Sequence, residues 1–131
     1  MDLASCQYYK ITNMSEMNSI IKNIIADINN CVLLDEASTF NVRLILSELI
    51  TNGFKHGGAC EEHPFEIWLD ARRGHLLRFM VYDGGAGFDL PPRVRADVLD
   101  ESGRGLVLVN ELVESIDFHQ DSGKISFCVG V

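Results

Sequence analysis

Glu48, Asn52, Lys55 and His56 recur at intervals of three and four. A helix therefore sets a carboxylate, an amide, an ammonium and an imidazole on one face. Asn52 offers a hard side-chain oxygen of the kind Mg²⁺ takes alongside phosphate oxygens. Glu48, one turn earlier, is placed to orient or deprotonate an attacking hydroxyl or water. Asp83 closes an apolar run and leads into Gly84-Gly85-Ala86-Gly87-Phe88. A carboxylate at a strand end can accept a hydrogen bond from an adenine amino group. Gly85 and Gly87 let the backbone approach a ligand closely, and Phe88 would anchor the loop. Gly103-Arg104-Gly105-Leu106 then opens a further amphipathic stretch. The free N–H groups and dipole of a helix start favour phosphate, and Arg104 adds charge-assisted contacts. In this order the three blocks outline a nucleotide pocket.

Each block also has a plainer reading. The first is equally a solvated helix face, the second an Asp-Gly turn, the third a glycine cap with a surface arginine. Two familiar phosphate motifs are excluded. No G-x-x-x-x-G-K-[ST] occurs, and Leu90 and Leu108 occupy the third glycine positions of G-x-G-x-x-G. Cys60 and His63 have C-x-x-H spacing but no second pair, so a thiol and a loop histidine are expected rather than zinc. His56 and His119 are read as a pocket-edge and a surface histidine, not as phosphoacceptors.

The elements that must position these groups follow from periodicity. Gln7 to Thr12 suits a first strand. Met17, Ile20, Ile21, Ile24, Ile25 and Ile28 recur at helical spacing, predicting a helix over about 15–30, with Ser15 and Asn18 as an imperfect capping box. Asp35 or Ser38 caps a second helix, near 39–57, with apolar Val42, Ile45, Leu46, Leu49 and Ile50, ended by Gly57-Gly58. Its rotation is expected to keep Glu48, Asn52, Lys55 and His56 away from the core stripe. Phe65 to Asp70 alternates with period two, and Leu76 to Tyr82 is nearly continuously apolar, so a hairpin with the second strand covered on both faces is expected. Pro91-Pro92 and the charges of 89–102 leave room for a short helix around 94–99 at most. A third helix, near 105–115, carries Leu106, Val109, Leu112, Val113 and Ile116 on one face. Strands at about 115–119 and 124–131 join at Asp121-Ser122-Gly123.

The chain has 131 residues, a length that makes one domain, 1–131, with a core that needs no disulfides. Its formal charge of −8 argues against direct nucleic-acid binding. A bound metal can still set a local field for ATP. No apolar run reaches the ~18 residues of a membrane span, and the start is not a signal peptide. Four scattered cysteines fit a reduced, cytoplasmic compartment.

Glu48-x-x-x-Asn52 with Lys55-His56 resembles the N box of the GHKL (histidine-kinase-like) ATPases. Asp83-x-Gly85-x-Gly87 resembles their G1 box, and Gly103-x-Gly105-Leu106 their G2 box. Within that superfamily, Tyr82 to Asp89 and Gly103 to Val109 are similar to the stand-alone anti-sigma factor serine kinases of bacteria. The interval from Phe88 to Gly103 looks like their brief ATP lid. The resemblance implies an α+β fold: a two-layer α/β sandwich, with a mixed, mostly antiparallel sheet and helices on one face. It implies ATP and Mg²⁺, with Glu48 as catalytic base, Asn52 as metal ligand and Asp83 as adenine reader. Gly85, Gly87, Gly103 and Gly105 would shape the lid and phosphate site. A sigma factor and an anti-anti-sigma protein are the implied partners, homodimers are frequent, and no membrane is involved. Two alternatives remain open: a detached ATP-binding domain of a histidine kinase system, and a non-catalytic ATP-sensing module. Two residues depart from the pattern. Gly53 stands where alanine is usual, and Lys124 where a threonine near the adenine is common, with Ser126 as a partial substitute.

Overall fold

The computed structural model describes residues 2–84, 104–119 and 122–131, the side chains of 104–106 excepted. Strands β1 (Gln7–Ile11), β2 (Phe65–Asp70), β3 (Leu76–Tyr82), β4 (Ser115–His119) and β5 (Lys124–Gly130) form one sheet. Their spatial order is β1-β2-β3-β5-β4. Every ladder among the described residues is antiparallel, so no parallel pairing appears where a mixed sheet was expected. Among the described residues three α-helices accompany the sheet: α1 (Met17–Asn29), α2 (Glu36–Lys55) and α3 (Arg104–Leu112). This is an α+β arrangement, consistent with the histidine-kinase-like ATPase fold.

Period-two alternation decides which face of the sheet is dry. Phe65, Ile67 and Leu69 of β2, Leu77, Phe79 and Val81 of β3, and Ile125, Phe127 and Val129 of β5 all point to one side and are buried. Phe79 and Phe127 stack there with centroids 4.9 Å apart. Ile21, Ile24 and Ile28 of α1, Val42, Ile45, Leu46 and Ile50 of α2, and Val109 of α3 join the same core cluster. The helices therefore occupy one face, as their apolar stripes require. The opposite face carries Trp68, Arg78, Met80, Tyr82, Lys124 and Ser126, all partly exposed. The apolar run of β3 is thus covered on one side, not two: its even-numbered members, Leu76, Arg78, Met80 and Tyr82, are partly exposed, and Arg78 and Tyr82 carry polar ends.

Local chemistry fixes the helix starts. Asp35 caps α2, its Oδ1 accepting from the Ser38 N–H at 2.7 Å, so the helix begins at Glu36, before the expected 39. The entry to α1 uses a different box from the one read in the sequence. Asn13 accepts from the Ser15 N–H, and the Glu16 carboxylate takes the N–H groups of Thr12 and Asn13. This builds a 3-10 turn, Met14–Glu16, ahead of the helix. Helix α3 stops at Leu112 rather than 115, because the Glu114 N–H already bonds the Cys128 carbonyl at 2.8 Å and commits the chain to the sheet.

Candidate functional site

The site is built where the C-terminal half of α2 crosses the end of β3. Seven residues are nearly two helical turns, so Asn52 lies only about 20° around the axis from Ile45. Ile45 is fully buried, and Asn52 is 5% exposed. This corrects the expectation that the polar face clears the core. Lys55 and His56 do face solvent, Glu48 is half-buried, and Asn52 is at the boundary on the buried side. Its Nδ2 has no hydrogen-bond partner among the described residues. A buried amide donor left so costs about 1–3 kcal/mol, a cost that a ligand offering it an acceptor, such as a phosphate oxygen, would remove.

Asp83 is the other buried polar group here, at 3% exposure. It follows β3 directly, and its carboxyl packs against the last turns of α2. A Cβ built on Gly57 would lie 2.8 Å from Asp83 Cβ and 2.9 Å from its Cγ. A Cβ on Gly53 would lie 3.6 Å from Asp83 Cβ. The loop after α2 seals the corner. The Gly58 N–H donates to the Asp83 carbonyl at 3.2 Å, and the Ala59 N–H to the Gly53 carbonyl at 3.2 Å. Gly84 has φ +79°, and a Cβ there would meet the His63 carbonyl oxygen at 2.2 Å. Only glycine satisfies both the dihedral and the space.

The structure thus brings Asn52 and Asp83 to one corner, with Glu48 a turn away on the same helix. Lys55 and His56 sit at the exposed end of α2, where a cation also complements the helix dipole. Gly85, Gly87, Phe88 and Gly103, and the expected short helix and lid of 88–103, lie outside the described residues. Arg104 opens α3 and Gly105 is its second residue, one position earlier than expected. The free N–H groups of that helix start are therefore at 104 and the residues just after it.

The residues the sequence reading passed over are Gly57 and Phe65. A Cβ on Gly53 would lie 2.5 Å from Phe65 Cδ2 and 2.6 Å from Cε2. The Gly53-x-x-x-Gly57 spacing was the available signal: one glycine in the last turn of α2 and one just past its end leave room for another chain segment to come close. Ser126, in contrast, is removed from the site. It points to the helix-free face and its Oγ lies 3.0 Å from His119 Nε2. The inward neighbours Ile125 and Phe127 are apolar, so Ser126 does not substitute for a threonine on the adenine side.

Two hollows among the described residues lie elsewhere. One of about 350 Å³ is on the helix-free face beside Arg78, Asp117, His119 and Ser126, and another of about 340 Å³ is beside Asp35, Phe40 and Arg43. Neither contains Glu48, Asn52 or Asp83. The buried polar groups, rather than hollow volume, make the α2–β3 corner the candidate site. Among the described residues no group of three or more His, Cys, Asp or Glu is placed to hold a metal. Cys60 Sγ lies 3.3 Å from Glu62 Oε2. A magnesium ion fits a single amide oxygen supplemented by phosphate oxygens, which is what Asn52 offers. No helix among the described residues is long and apolar enough to cross a membrane.

A family model described as the histidine kinase-like ATPase domain matches residues 13–128. No curated protein matches the chain. The matched span contains α1, α2, α3 and the corner formed by Asn52 and Asp83.

Proposed function

We propose that this chain, which belongs to the histidine kinase-like ATPase domain family, is an ATP-dependent protein serine kinase that also binds a sigma factor. Its phosphoacceptor on this reading is a serine of a small anti-anti-sigma protein. Family membership supports ATP binding, with Mg²⁺ the usual companion. The observation that carries the residue assignment is the burial of two polar side chains at the end of α2: Asn52, and Asp83, which lies beside positions 53 and 57. Asp83 would accept from the adenine amino group, and Asn52 would give its Oδ1 to the metal. The metal, when bound, supplies neutralisation of the charge on the phosphoryl oxygens. Glu48, half-buried and one turn before Asn52, would take the proton from the attacking serine hydroxyl. Arg104 and the start of α3 would hold phosphate oxygens.

A carboxylate base distinguishes transfer from sensing, because binding alone has no use for it. The serine reading, as against histidine, rests on the sequence likeness of Tyr82 to Asp89 and Gly103 to Val109. The test is radiolabelled ATP incubated with the protein and candidate partners, followed by acid treatment. Label on a partner that survives acid supports a serine ester. Acid-labile label would transfer the proposal to phosphohistidine, and no label at all would leave an ATP-binding module.

A further inference from the structure

Glycine inside a helix is disfavoured relative to alanine, yet Gly53 lies in the last turn of α2. Its position has a steric cause. The two ring atoms of Phe65 that a Cβ would meet at 2.5 and 2.6 Å belong to a side chain only 1% exposed. The ring is held between α2 and the sheet at the first residue of β2, so it has no solvent space into which to swing. Cβ atoms do not approach other atoms this closely, so a methyl group at 53 must shift the buried ring, and with it the packing of α2 against β2. Asn52 is the adjacent residue and is itself buried. Asp83 belongs to the sheet side, directly after β3, and lies beside Gly57 just past the end of α2, where a Cβ would come within 2.8 Å of it. Any lift of this part of α2 therefore displaces the Asn52 amide relative to the Asp83 carboxylate.

We infer that Gly53 and Phe65 form a size-matched pair that sets how deeply α2 presents Asn52 to the nucleotide. Both are positioning residues; neither touches the ligand. The inference rests on the nucleotide reading proposed above. The pair predicts compensation: enlarging 53 is harmful while the ring at 65 remains, and tolerated once the ring is cut back. Valine at 65 removes both clashing ring atoms and keeps a strand-favouring side chain.

The experiment compares wild type, Gly53→Ala, Phe65→Val and the double variant by two readouts. The first is the side-chain amide resonance pair of Asn52 in nucleotide-free protein. The second is the dissociation constant for ATP with and without Mg²⁺. Gly53→Ala should move the Asn52 amide resonances and weaken Mg²⁺-dependent binding by roughly tenfold or more, since displacements of about 1 Å have large effects at such sites. The double variant should restore the resonances and bring affinity to within about threefold of wild type, a strong positive coupling. A single variant that behaves as wild type overturns the inference, as does a double variant no closer to wild type than Gly53→Ala. If Gly53→Ala does not fold, a double variant that folds and binds better than Phe65→Val supports the pairing. A double variant that also fails to fold, or binds no better than Phe65→Val, refutes it. If wild type binds no ATP, the nucleotide reading fails. The nucleotide-free Asn52 resonances then still decide whether the pair positions the amide.

Discussion

Replacing Asn52 by leucine should make the nucleotide-free protein more stable and the nucleotide-loaded protein less so. The side chain is 5% exposed and its Nδ2 has no partner among the described residues. Leucine has nearly the same shape and no donor to strand, so it removes a desolvation cost of about 1–3 kcal/mol. Part of that gain is offset by loss of whatever the amide oxygen contributes, leaving a net of about 1 kcal/mol. For 131 residues, an unfolding entropy near 2.1 cal/mol/K per residue makes that worth about 4 °C in Tm. ATP at a hundredfold excess over its Kd stabilises wild type by about 2.7 kcal/mol, roughly 10 °C on the same scale. The variant should lose the Mg²⁺-dependent part of that rise. Scanning calorimetry with no ligand, ATP plus EDTA, and ATP plus Mg²⁺ separates the two effects. A nucleotide-free variant less stable than wild type would refute the idea that this amide is a cost held for a ligand. A full Mg²⁺-dependent rise in the variant would remove Asn52 from the metal.

Glu48→Gln keeps size and reach but lacks a basic carboxylate. It should bind ATP within a few-fold of wild type and lose about 10²–10⁴-fold in phosphoryl transfer, measured in single turnover. Asp83→Asn exchanges an acceptor oxygen for a donor, so the ratio of ATP to GTP affinity should fall in competition titrations; an unchanged ratio would remove Asp83 from adenine reading. The hydrogen bonds from Arg72 hold the Asp70 carboxyl at about 2, below its usual range. The ionised pair therefore adds stability above pH ~4 that is lost as pH falls towards 2. Asp70→Asn should be less stable than wild type near pH 7, with the gap closing by pH ~2 in chemical denaturation; a gap independent of pH would show that the charge is not its source.

Most of the framework was legible because it depends on near neighbours in sequence. The bounds of β2, β3 and β4 follow from alternation and turn residues, and α2 from its apolar stripe and Asp35. The Asn13–Glu16 box was also local, but Ser15 and Asn18 competed for the same reading. Burial of Asn52 could have been read from its seven-residue distance to Ile45. The side to which Ser126 points could have been read from the apolar residues on either side of it. Phe65 was different in kind. Its consequence for Gly53 depends on how closely α2 and β2 approach, and no periodicity encodes that distance. The corner at Asp83 is similar, since its burial is produced by glycines 26 and 30 residues earlier, at 57 and 53.

The order β1-β2-β3-β5-β4 also bears on how the chain comes together during synthesis. Strands β2 and β3 are hairpin neighbours, and their ladder can close as soon as both have left the ribosome. Strand β1 pairs Ile11 with Phe65 and Gln7 with Leu69, partners 54 and 62 residues further along. It is made early and has nothing to pair with until β2 emerges. Meanwhile α1 and α2 are complete, and their apolar faces can meet. Closing such a span costs loop entropy that only β2's arrival repays. Nascent β1, with Tyr8 and Tyr9 on opposite faces, is therefore the segment most open to chaperones or to stray pairing, and the edge position it finally takes is one the sheet can fill last.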